Sequence, residues 1–300
     1  MNETSDLDRK AVRLQFSRRT GRISQADFLL RDIEGRMVER LDLVRVAPRH
    51  VLDAGCGLGA GAARLQQRYP QARVMGIDLA DAMVFRAAQL HGELARRSFS
   101  ERLRKLFGAG ATDVQVPDFA VADAARLPVR NSTFDLVWSN LALHWFGDPA
   151  PLFEEWRRAM QPGALLMFST FGADTLTELR NAGIVVPGFA DLHDLGDALL
   201  VSGFSGPVID AERLRITWTD PEKLLSELRA FGGWAAGRRG GGLRGRKLRA
   251  ALIDQIAALA DSDGCISVSV EVVFGHAWVP EKVALPAGYA PIRFERGGTA

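Results

Sequence analysis

Residues 50–59 read HVLDAGCGLG, a short apolar run that reaches Asp53 and then turns on Gly55, Gly57 and Gly59. Glycines at that spacing serve a backbone that must bend sharply and lie against a ligand, where a Cβ would collide. The helix beyond the turn runs to Tyr69, and Pro70 helps to stop it. Strand two is ARVMGIDLA (72–80), with Asp78 near its C-terminal end, and a helix follows over residues 81–95. DFAVADA (118–124) and FDLVWSN (134–140) supply strands three and four, a helix covers 149–160, and QPGALLMFSTFG (161–172) is a turn into strand five. Strands alternating with helices in this way predict an α/β fold, a doubly wound and mainly parallel sheet with helices on both faces.

Outward from this core the pattern changes. Before it, residues 10–43 read as helix, with Phe28, Leu29, Ile33, Met37, Leu41 and Val44 at helical spacing among charges. Residues 96–117 are basic and then Gly-rich where a compact sheet needs only a short connection, so they read as a surface insertion. After Thr175 come the helix TLTELRNA (175–182), the helix DLHDLGDALLVSGF (191–204) with Gly203 as its C-cap, and the strand RLRITWT (213–219). The helix DPEKLLSELRAFG (220–232), a glycine-rich loop over 232–246, a helix over 247–260 and the alternating strand CISVSVEVVFGHAWV (265–279) complete the fold. The expected organisation is one domain: a helical segment 1–47, a cofactor-binding core 48–175, substrate-side helices and strands 176–285, and a loose tail 286–300.

Composition removes several classes. With 47% hydrophobic and 25% charged residues the 300-residue chain is globular. Cys56 and Cys265 make neither a disulfide framework nor a zinc site, and they read as two reduced thiols. No apolar run approaches the roughly 20 residues of a membrane span, and no leader follows the charged start, so a cytoplasmic protein is expected. A net charge of +2 gives no case for nucleic-acid binding. The cations are nonetheless clumped, as Arg96, Arg97, Arg102, Arg104 and Lys105, and as Arg238, Arg239, Arg244, Arg246, Lys247 and Arg249. Such runs are solvated faces or the footprint of an acidic partner.

Three acids converge on the strand ends. Asp53 stands two places before the first glycine, where it would repel a dinucleotide's pyrophosphate but suits a ligand bearing an ammonium group. Asp78 lies about 20 residues beyond the last motif glycine, where a carboxylate can hold ribose hydroxyls. Asp123 ends strand three, placed to accept from an adenine amino group. Each acid alone is equally well an ordinary structural residue; the three together with the glycines are a ligand site.

VLDAGCGLG, GIDLA, DAARLP and FDLVWSN resemble motifs I to IV of the class I S-adenosylmethionine methyltransferases, over roughly residues 48–170. The resemblance implies a Rossmann-like, seven-stranded sheet and S-adenosylmethionine, without metal, as cofactor. It implies that Gly55, Gly57 and Gly59 contact the methionine moiety, that Asp78 takes the ribose, that Asp123 and Ala124 border the adenine, and that Asn140 and Leu141 sit beside the sulfonium. Asp53, Cys56, Leu79 and Met83 complete the expected cofactor-binding set. For the acceptor, His144 and Trp145 follow strand four as candidate pocket residues, and Arg180 is the candidate to grip a carboxylate in a two-pronged bond. A plain surface arginine is the alternative for Arg180; His144, His193 and His276 each read first as satisfied core histidines.

Longer stretches are similar to the biotin-pathway malonyl-acyl-carrier-protein O-methyltransferases: residues 141–182, 11–37, HDLGDALLVSGF, GGLRGR and VSVEVVFGHAW (268–278). That family methylates the free carboxylate of a malonyl thioester, and an anionic acceptor needs no general base. An acidic acyl-carrier protein bearing the malonyl group, or malonyl-CoA, is then the expected partner, with the two basic clumps as its docking residues. The family often carries Tyr where this chain has Ile23, so no role is assigned there. FGADTLTELR also occurs in a related group tied to respiratory complex I assembly. A methyltransferase for another small acid or amine, and a non-catalytic assembly protein that keeps the cofactor fold, therefore remain alternatives.

Overall fold

The computed structural model describes residues 9–19, 27–92, 115–230 and 243–281. Seven strands make one sheet: β1 (His50–Ala54), β2 (Arg73–Asp78), β3 (Asp118–Val121), β4 (Phe134–Asn140), β5 (Met160–Phe171), β6 (Ser205–Trp218) and β7 (Ile266–Trp278). Their order is β3-β2-β1-β4-β5-β7-β6. The first five are parallel, and β7 runs antiparallel to both β5 and β6. The chain reverses its winding between β1 and β4, and the crevice above those strand ends is where such sheets take ligands.

The described helices are α1 (Arg9–Arg19), α2 (Asp27–Asp42), α3 (Ala60–Arg68), α4 (Asp81–His91), α5 (Pro149–Ala159), α6 (Thr177–Asn181), α7 (Leu192–Val201), α8 (Pro221–Ala230) and α9 (Leu243–Ala257). Side-chain alternation along the strands sorts the core into two layers. Leu52, Val137, Leu166 and Phe168 face α5 and α7, whose Phe153, Trp156, Leu195 and Leu199 are buried with them. Val51, Leu136, Leu165 and Met167 face α2 and α3 on the other side. There α2 buries Leu29, Ile33, Met37 and Leu41, while Phe28, expected on that face, is half exposed. A third cluster joins α6, α8 and α9 to the lower ends of β6 and β7 through Leu179, Leu224, Ile256 and Val268.

Several boundaries differ from the sequence reading. The expected N-terminal helix is seen as α1 and α2, with residues 20–26, Ile23 included, outside the described residues. β5 starts at Met160, paired with Phe134, and keeps its pairing through a register shift, so residues 161–163 belong to the strand rather than to a turn before it. β3 stops at Val121, and Asp123 belongs to the following turn, where its Oδ1 accepts from the Ala125 N–H (3.0 Å). β6 begins eight residues earlier than expected. Its first half alternates exposed with half-buried positions and carries Asp210 and Glu212, which Arg36 and Arg40 of α2 engage. α9 begins at Leu243 rather than Lys247. The insertion, the loop before α9 and the tail fall almost wholly outside the described residues. Among those described, no helix is long and apolar enough to cross a membrane.

Candidate cofactor and acceptor site

A cavity of about 180 Å³ opens over the C-terminal ends of β1, β2 and β4. Of the twelve expected cofactor-binding positions, eleven line it; Gly59 does not. Gly59 has φ +81°, and a Cβ there would stand 2.7 Å from the Phe119 ring, so its glycine serves the packing of the α3 N-terminus against β3. Gly55 is confined differently. Its φ is +82°, and an added Cβ would lie 2.4 Å from the Ala142 Cβ, so the turns after β1 and β4 approach only because Gly55 lacks a side chain. The obstacle is therefore protein rather than cofactor. Gly57, at φ +52°, faces open space, as the floor of a ligand site requires.

The acids form one electronegative wall. Asp53 is only 3% exposed. Burial, helped by the nearby charges of Glu34 and Asp78 and opposed by an N–H from Ala62, pushes its carboxyl up to about 8. Burial likewise raises Asp78, whose Oδ2 accepts from the Gly57 N–H (3.1 Å) and whose Oδ1 accepts from Ala80 (2.8 Å). A carboxylate has about four lone-pair sites, so lone pairs remain on Asp78 for two hydroxyls. Burial first, then Asp53 and Asp78, raises the Cys56 thiol, which stays protonated. Carboxylates whose ionisation is held back chiefly by burial fit a cationic ligand, and an amino-acid ammonium supplies that charge.

β4 ends in a fixed turn. Asn140 donates from Nδ2 to the Leu30 carbonyl (3.1 Å) and accepts from the Ser169 hydroxyl at Oδ1 (2.7 Å), which ties α2 and β5 together. Leu141 holds φ +50°, a strained value for a non-glycine residue, and its N–H donates to Ser169. Trp145 lines the cavity, edge-on to Phe16 of α1 at 5.0 Å between ring centroids.

The other acceptor candidates lie off the cavity. His144 sits behind Trp145 among Phe171 and Phe189; neither ring nitrogen has a hydrogen-bond partner, and burial lowers its pKa to about 3. Arg180 is exposed on α6, and its guanidinium donates to the Ala173 and Thr175 carbonyls (3.2–3.3 Å). It braces the loop after β5 instead of reaching the cavity. His193 is bonded to Asp191 at the start of α7, and His276 borders a separate small pocket with Arg40 and Phe274. The sequence reading named no residue of the N-terminal helices for the site: Val12 and Phe16 of α1, and Leu30, Arg31 and Glu34 of α2, line the cavity. Arg31 is the one Lys or Arg side chain among the described lining residues. The signals were Val12/Phe16 and Leu30/Glu34, both at i,i+4 spacing on helices that precede the core.

This fold and site define a methyltransferase. A family model described as a methyltransferase domain matches residues 52–168. The YcgJ protein of Bacillus subtilis shares the fold, with a TM-score of 0.53 and 17% identity, over 86% of this chain and 99% of that one. The malonyl-[acyl-carrier protein] O-methyltransferase of Methylovorus sp. is 41% identical over 299 residues, 96% of this chain and 95% of that protein. Its counterpart in Laribacter hongkongensis is 39% identical over 290 residues, 93% of this chain and 92% of the other. The chain belongs to the malonyl-[acyl-carrier protein] O-methyltransferase family.

Proposed function

We propose that the protein transfers a methyl group from S-adenosylmethionine to the free carboxylate of a malonyl group carried on acyl-carrier protein, an early step of biotin synthesis. The observation that carries this reading is the poverty of bases at the acceptor end. No histidine is among the described cavity-lining residues, and the imidazole of His144, packed against the lining Trp145, has its pKa lowered by burial to about 3, too weak to deprotonate an amine or a hydroxyl. A carboxylate arrives already ionised and asks only for alignment and a dry site. The near-full-length relatives carry a name that agrees.

When bound, S-adenosylmethionine would supply an electrophilic methyl group to the acceptor carboxylate, leaving its sulfur as the thioether with no proton to move. The residues of this chain do the rest. Asp53 and Glu34 balance the ammonium, Asp78 takes the ribose hydroxyls, and Asp123 with Ala124 borders the adenine. The clamped Asn140 and the strained Leu141 fix the wall beside the sulfur. Phe16, Trp145 and Phe146 keep water from the reacting centre. Arg31, the one Lys or Arg among the described lining residues, is the residue placed to pair with the acceptor carboxylate. Comparing malonyl- with acetyl-acyl-carrier protein tests the reading. Labelled methyl should pass to the malonyl form alone, and transfer to the acetyl form, which lacks the free carboxylate, would defeat it.

A further inference from the structure

The geometry points to α1 and the first turns of α4 as the docking surface for the acidic carrier protein, a placement that rests on the acceptor proposed above. Residues 9–19, RKAVRLQFSRR, hold five Arg or Lys and no acid. The helix divides its faces by function. Val12 and Phe16 point into the cavity. Ser17 donates to Asp81 (3.0 Å) and Arg13 stands 3.4 Å from the same carboxylate, which fixes α1 across the start of α4. The stripe at i, i+4 and i+8 is Lys10, Leu14 and Arg18, exposed to solvent.

Two observations separate this patch from an ordinary solvated charge run. First, it carries exposed apolar side chains. Leu14 is 41% exposed, and Phe85 of α4, one turn beyond Asp81, is 64% exposed, with the exposed Arg86 beside it. Cations around apolar anchors match a partner surface of acids around apolar side chains, where charge steers the encounter and the anchors hold it. Asp81 is the only carboxylate in these two segments, and Arg13 and Ser17 already hold it. Second, the patch is the outer side of the helix whose inner side lines the cavity. A substrate delivered on a thioester arm must dock within reach of the reacting sulfur, and a carrier seated on α1 satisfies that. Of the basic clumps read from sequence, only Lys247 and Arg249 have described side chains, and Arg249 is paired with Glu222 at 3.2 Å.

The test is direct binding of holo-acyl-carrier protein to Arg18→Glu/Arg86→Glu, in parallel with turnover of a short malonyl thioester that has no protein carrier. The docking surface predicts at least a tenfold loss of carrier affinity, a weaker salt dependence than the parent protein shows, and unchanged turnover of the short thioester. If the charge reversal disturbs folding, Arg18→Gln/Arg86→Gln should give a smaller loss in the same direction. Carrier affinity unchanged in a folded variant overturns the proposal, as does an equal loss of turnover with the short thioester. Absence of turnover of any malonyl thioester by the parent protein, with carrier binding still weakened in the variant, would sink the proposed reaction and leave the docking surface standing.

Discussion

With Asp53 paired to the cofactor's ammonium, as proposed above, cofactor binding becomes a proton-linked event. Its carboxyl, at about 8, is mostly protonated at neutral pH, because burial and the charges of Glu34 on α2 and Asp78 on β2 oppose its ionisation. Cys56, the other titratable group against it, remains a neutral thiol throughout. An ammonium ligand pairs with the ionised form, so binding must expel the proton. About 1% of Asp53 is ionised at pH 6 and about 10% at pH 7. Apparent affinity should therefore rise about tenfold over that interval, or about 1.4 kcal/mol, while the ligand's amino group stays largely protonated. Calorimetry in buffers of different ionisation enthalpy should find about one proton released per cofactor bound at pH 6. Asp53→Asn should flatten the profile and bind on the order of 1–2 kcal/mol more weakly at pH 8. The same shift sets the sign for stability. The ligand-free folded chain keeps a proton that the unfolded chain loses above about pH 4, so this group's contribution falls as pH rises from about 4 to about 8. A dissociation constant that is flat between pH 6 and 7, with no proton released, would refute the reasoning.

Three further outcomes follow from the geometry. Gly55→Ala meets the Ala142 Cβ and a positive φ together, so it should lose roughly 1–3 kcal/mol of stability and most cofactor binding; a melting temperature equal to that of the parent would contradict the close approach. His144→Leu removes a buried imidazole without partners, so it should melt no lower than the parent and keep kcat within about threefold; a hundredfold fall in kcat would make His144 a base or an essential donor. Arg180→Ala should cost about 1 kcal/mol of stability through the lost bonds to Ala173 and Thr175, with KM for the acceptor unchanged; a large rise in KM would return Arg180 to the site.

The ligand side of the sheet was legible because its requirements are local. A turn that must pass close to a ligand needs glycine wherever it occurs, and acids at strand ends keep their meaning in any parallel sheet. Gly59 shows the limit: it shares the motif's spacing, but Phe119, sixty residues on, determines why it is glycine. The lid side was not legible because it depends on distant partners. α2 is seated by Arg36 and Arg40 on Asp210 and Glu212 of β6, 170 to 176 residues away, and that seating brings Glu34 and Arg31 to the cavity. The same charges hid the first half of β6, which carries too little apolar alternation to read as a strand. For Arg180 the sequence could give only a position, not a side-chain direction. Its place after β5 was read correctly, but its guanidinium turns back to the backbone of its own loop.

The central claim is most directly tested by intact-mass measurement of malonyl-acyl-carrier protein after incubation with the protein and S-adenosylmethionine, before and after brief treatment with mild base. The account predicts a gain of one methyl that leaves together with the acyl group when base cleaves the thioester, as expected of a methyl carried on the malonyl group rather than on the carrier protein. No gain with cofactor binding confirmed, or a methyl that stays on the carrier protein after base, would contradict it.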